Sequence, residues 1–125
     1  MPQPTAVEIN TQRQKNDLPL IRFNLRSYSE QDITDLREAY EALYEISDTS
    51  TGDVRGYWAT ARGHGYDQDL CHTDSSLFLT WHRAYVYVFE KALSAALRQK
   101  RGDDTLAITL PYWDWTVYNP ETDAA

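Results

Sequence analysis

The polar and apolar positions divide the chain into a few clear periods. Ser29 followed three residues later by Asp32 has the form of a capping box, and Ile33, Leu36, Tyr40, Leu43 and Tyr44 then recur at helical spacing. This predicts a helix over about 30–46. The polar run SDTSTGD, Ser47 to Asp53, reads as a loop. VRGYWATARGHG then predicts a short helix with Tyr57, Trp58 and Ala61 on one side, broken by Gly63 and Gly65, with His64 at or near its C-terminal end. Tyr66 to Ser76 has turn composition. From about Leu79 to Lys100 the chain predicts a long helix whose apolar stripe is Trp81, Tyr85, Val88, Ala92 and Ala95/Ala96, with Gly102 just past its end. LAITLPYWDWTVYNP is too short for another long helix, and its prolines and aromatics favour an extended segment. The first 20 residues are polar, carry Pro2, Pro4 and Pro19 and show no period. They are expected to be a flexible arm, loose or laid across a partner, ahead of one domain over residues 21–125.

A chain of 125 residues suits one domain, and folding at this size removes roughly two-thirds of the unfolded surface from water. Aromatics reach 13%, so much of the burial falls to Tyr and Trp, whose polar atoms need partners. The net charge of −7 and the absence of a basic cluster beyond RQKR argue against nucleic acid. No segment approaches the length and apolarity of a membrane span. The N-terminus lacks a basic region followed by an apolar run, so the expected location is cytoplasmic, or exported without a signal of its own. One cysteine, Cys71, allows no intrachain disulfide.

The candidate chemistry lies in one stretch, GHGYDQDLCHTDSSLFLTWHRAYVYVF, which holds every histidine of the chain: His64, His72 and His82. Two helices and the loop between them can bring three imidazoles to one ion. Three nitrogens without a carboxylate favour copper or zinc, a three-histidine zinc site with an open position included. Separate capping or core histidines are the alternative.

The surrounding residues narrow this further. LFLTWHRAYVYVFEKAL, then LPYWDWT, with YWATARGHG upstream, resemble the first copper-binding half of the tyrosinase, catechol oxidase and molluscan haemocyanin family, the type 3 copper proteins, over about Arg22 to Pro120. The resemblance implies a mainly α fold, a helical half-bundle with an extended C-terminal segment, completed by a partner chain. It implies that His64, His72 and His82 bind one copper, with two coppers in the assembled site. It also implies copper-dependent oxidation of phenols or catechols to o-quinones by O2, the O2 and the phenol being the small-molecule partners. A haemocyanin-like O2 carrier and a non-catalytic subunit of a larger copper enzyme are the rival functions. One residue more separates His72 from His82 than the family's usual spacing, so a one-residue bulge is expected there. Cys71 occupies a place where many members carry a thioether-forming cysteine, and an unlinked thiol is expected instead.

Three histidines hold one copper, so the second half has to come from elsewhere. A second copy of the chain and a separate subunit are equally expected, with truncation of a longer enzyme behind them. Around the site, Arg83 and Asp114 are expected as a buried pair. Trp81, Tyr85 and Phe89 are expected in helix packing, Trp113 and Trp115 together on one face of the core. Glu90 and Lys91 are expected on a solvated face or as a local ion pair, with a structural role for Glu90 left open.

Overall fold

The computed structural model describes residues 2–66 and 76–117. Among these, α1 spans Ala6–Lys15, α2 Glu30–Thr49, α3 Tyr57–Tyr66 and α4 Phe78–Arg101, with one 3-10 turn at Leu25–Ser27. The mainly helical class agrees with the sequence. No described helix is long and apolar enough to cross a membrane.

Local chemistry sets the start of α2 and the end of α4. Ser29 caps α2: its hydroxyl accepts from the Asp32 N–H at 3.2 Å, and the Asp32 carboxylate accepts from the Ser29 N–H at 2.8 Å. α4 ends at Gly102, whose φ of +65° is a left-handed conformation that glycine adopts without a Cβ clash, while the N–H groups of Gly102 and Asp103 both reach the Arg98 carbonyl.

α2 and α4 form the core pair. Ala39, Ala42 and Leu43 meet Leu93, Ala96 and Leu97, and the small side chains let the two backbones approach closely. The buried face of α4 is rotated from the expected stripe: Leu93 and Leu97 are fully buried, whereas Val88 is 57% exposed. The cause is tertiary. Glu90, 7% exposed, accepts from the Arg22 guanidinium at 2.6 and 2.9 Å and from the Leu110 N–H at 3.0 Å, which turns its side of the helix inward. At the other end Arg101 pairs with the buried Asp35 at 2.6 Å and with Glu38, fastening α4 to α2.

The expected N-terminal arm is instead a helix that enters the core. Thr5 and Glu8 form a capping box, Val7 packs in the main cluster, and the fully buried Asn10 holds both the N–H and the carbonyl of Ile21 and donates to the Thr109 hydroxyl. Val7, Asn10 and Thr11 are the buried positions of α1. Only one of them is apolar, so hydrophobic periodicity could not announce the helix.

The C-terminal segment is extended, as expected. Ile108 is tied to Ser94 and Leu110 to Glu90, so the segment runs antiparallel to α4, and a single parallel bridge joins Tyr112 to Asn24. Trp113 and Trp115 are 65% and 77% exposed rather than packed in the core. Beyond the bridge the chain turns, with the Trp115 N–H on the Trp113 carbonyl, and this carries both indoles away from the helices.

Candidate metal centre

α3 begins against α2 through a close approach. The Ser47 hydroxyl, in a residue 1% exposed, accepts from the Trp58 N–H at 3.0 Å, and Gly56 lies so near it that a Cβ there would overlap the Ser47 oxygen. α3 then continues through Gly63 and Gly65 to Tyr66 instead of breaking, with open space beside both glycines. His64 therefore lies in its last turn and His82 in the second turn of α4.

The two imidazoles meet. His64 Nε2 and His82 Nε2 are 3.2 Å apart, with ring centroids 5.3 Å apart and planes at 65°. On His82, Nδ1 lies 2.8 Å from the Phe78 carbonyl. A carbonyl only accepts, so Nδ1 carries the proton and the Nε2 lone pair points at His64. Two nitrogens bound to one ion at about 2.0–2.1 Å in near-tetrahedral geometry are themselves about 3.3 Å apart. The observed separation matches that, and a ring nitrogen fixed by a backbone carbonyl is the usual support of a metal-binding histidine.

Aromatic rings wall the pair. Trp81 and Tyr85 approach His64 at centroid distances of 5.5 and 5.6 Å, both edge-to-face, and Phe78 approaches His82 at 4.2 Å. The Tyr85 hydroxyl donates to the Thr60 carbonyl at 2.8 Å and so fixes α4 against α3. Neither α3 nor α4 up to Phe89 contains a carboxylate, and no group of three His, Cys, Asp or Glu side chains forms among the described residues. Among the described residues the donors at the pair are thus nitrogens, which fit copper or zinc better than magnesium or calcium.

The structure brings His64 and His82 together, while His72 and Cys71 lie outside the described residues. Arg83 and Asp114 do not pair. Arg83 is exposed, and Asp114 accepts from the hydroxyl and N–H of Thr116 at 2.6 and 3.1 Å, bonds that hold its carboxyl below the usual value. The carboxylate is satisfied within a tight Asp-x-Thr turn, and the guanidinium whose charge acts on it is that of Arg26. Sequence reasoning did not find the Phe78 carbonyl or the Tyr85 to Thr60 bond. The first had a signal, since a histidine side chain in the first turns of a helix can reach the carbonyl four residues before it.

Residues 41–125 match the family model described as the common central domain of tyrosinase. The chain belongs to the tyrosinase family. Relatives of this tyrosinase-family chain include Hemocyanin 1 of Megathura crenulata, 34% identical over 108 residues that cover 78% of this chain and 3% of that protein. The Tyrosinase of Aspergillus oryzae is 31% identical over 104 residues, 74% of this chain and 17% of that protein. Tyrosinase ustQ of Aspergillus flavus is 34% identical over 99 residues, 79% and 25% respectively. The chain thus spans a quarter or less of these relatives. No solved structure matches it.

Proposed function

We propose that His64, His72 and His82 hold one copper ion, as half of a two-copper site at which O2 oxidises phenols or catechols to o-quinones. The observation that carries this reading is the pair of facing Nε2 atoms 3.2 Å apart, with His82 oriented by the Phe78 carbonyl. Tyrosinases among the relatives support the oxidase over other copper chemistry.

A copper ion held there would supply a redox couple between the phenol and O2. The residues of the chain set its surroundings. Phe78 keeps the proton on His82 Nδ1, so Nε2 stays a ligand. The Tyr85 to Thr60 bond holds the spacing of α3 and α4 and with it the separation of the two imidazoles. Trp81, Phe78 and Tyr85 shield one side of the rings from water. The remaining ligands come from a second copper-binding half, supplied by another copy, by a separate subunit or by the remainder of a longer enzyme. That half would also cover exposed apolar side chains such as Leu79, Trp113 and Trp115, which are 65–78% exposed in this chain.

The Megathura relatives favour a second reading of the same centre, reversible O2 binding. Catechol turnover by the copper-loaded assembly separates the two. Quinone formation that continues over many cycles supports the oxidase, and O2 uptake that reverses on degassing, with no quinone formed, overturns it in favour of the carrier.

A further inference from the structure

The rings behind the histidine pair continue into the interior and out to the surface. Trp81 and Tyr85 are stacked, with centroids 5.0 Å apart and planes within 14°, and both touch His64. Tyr85 and Tyr57 line one cavity of about 250 Å³ together with Tyr40 and Phe89. The Tyr57 and Tyr44 rings pack together with centroids 4.2 Å apart. Tyr44 is 39% exposed and opens the series to solvent.

Indole and phenol are the side chains most readily oxidised by one electron. Electron tunnelling weakens steeply with distance, so several short steps between rings move an electron much faster than one long step. We propose that Trp81, Tyr85, Tyr57 and Tyr44 form an electron relay that draws oxidising equivalents away from the histidine pair and delivers them to the surface, sparing the imidazoles. The proposal rests on the reading that oxidative chemistry takes place at those histidines.

The oxidant is an oxygen radical of the hydroxyl type, left when O2 is incompletely reduced at the site, and it leaves as hydroxide after taking one electron. Trp81 gives it one electron and becomes a radical cation that keeps its N–H proton. The Tyr85 hydroxyl donates to the Thr60 carbonyl, too weak a base to take a proton, so Tyr85 couples its neighbours without holding the charge. Trp81 is refilled by one electron from the Tyr57 and Tyr44 pair. Tyr44 releases its hydroxyl proton to water and is left as a neutral phenoxyl radical. A thiol or another phenol in solution returns one electron and one proton and restores it.

The test uses no copper. A ruthenium polypyridyl photo-oxidant is coordinated to His82 in a chain carrying His64→Gln and His72→Gln, excited by a flash in the presence of an external quencher, and the radicals are followed by transient absorption and electron paramagnetic resonance. The expected result is a neutral tyrosyl radical that disappears in Tyr44→Phe and falls at least tenfold in yield in Trp81→Phe and in Tyr57→Phe. Tyr57→Phe keeps the ring and removes only the oxidisable hydroxyl, so it decides the matter even if Trp81→Phe loses helicity. A Tyr44 radical of unchanged yield in Tyr57→Phe, or an oxidised Trp81 that persists in the chain with all four rings intact, overturns the relay. Failure of copper to bind in a separate titration would count against the site and leave this result standing.

Discussion

Replacing Glu90 tests whether one buried carboxylate sets the orientation of α4, the helix that carries His82. Its side chain is 8% exposed and takes three hydrogen bonds, two from Arg22 and one from the Leu110 N–H. In Glu90→Ala the Leu110 N–H loses its acceptor, which costs about 1–3 kcal/mol for a buried donor. Losing one partner of a buried ion pair can cost about 3–5 kcal/mol, but the Arg22 side chain is 41% exposed and returns to water, so its share is only about 1 kcal/mol. The sum is about 3 kcal/mol. With an unfolding entropy of about 2.1 cal/mol/K per residue over 125 residues, Tm falls by about 10 °C. Glu90→Gln keeps an acceptor for Leu110 and should lose about 1 kcal/mol. Urea unfolding of the three chains followed by circular dichroism measures both differences. A Glu90→Ala loss below about 0.5 kcal/mol, or a Glu90→Gln loss equal to the Glu90→Ala loss, would mean that the carboxylate does not hold α4 in place.

Three further outcomes follow from the structure. Gly56→Ala pushes a Cβ into the Ser47 hydroxyl that receives the Trp58 N–H, so it should destabilise by about 1–3 kcal/mol in thermal unfolding, and a neutral effect would mean the start of α3 gives way freely. Burial pushes the Asp32 carboxyl upward, but hydrogen bonds from the Ser29 hydroxyl and from the N–H groups of Ala6 and Ser29 together outweigh it and leave the pKa below 3.8. The depressed value means that its stabilisation is complete above the unfolded pKa and is lost as pH falls through the folded one. Asp32→Asn should therefore lower stability at pH 7 and flatten the decline below about pH 4, and an unchanged acid slope would contradict this. Tyr85→Phe removes the bond to Thr60 and should cost about 1 kcal/mol and weaken copper binding by several-fold with one ion still bound. Unaltered copper affinity would remove Tyr85 from the set of positioning residues.

Much of the helical frame was legible because its ends are written in local chemistry. The Ser29 and Asp32 box and Gly102 act within a few residues of themselves, so α2 and α4 could be read directly. α1 could not, since the buried Asn10 is satisfied by Ile21 and Thr109, contacts that exist only in the folded chain. The face of α4 was misread for the same reason. Its stripe of Trp81, Tyr85 and Val88 is as apolar as the face actually buried, and the choice is made by Arg22 and Leu110 holding Glu90. At the site, the grouping of the histidines and the WHR segment pointed to His64 and His82. The separation of their Nε2 atoms depends on Gly56, Ser47 and the Tyr85 to Thr60 bond, none of which has a signature along the chain. Arg83 and Asp114 were matched by charge alone, and a Thr two residues after an Asp is the stronger local partner.

The three histidines are proposed to hold one copper per chain. Native mass spectrometry of the copper-loaded chain beside His64→Gln and His82→Gln, counting chains and ions in each species, tests it directly. The expected result is one copper per chain, two in any assembly of two copper-binding halves, and loss of the ion in either variant. Copper retained at full stoichiometry in His64→Gln or His82→Gln would contradict the claim.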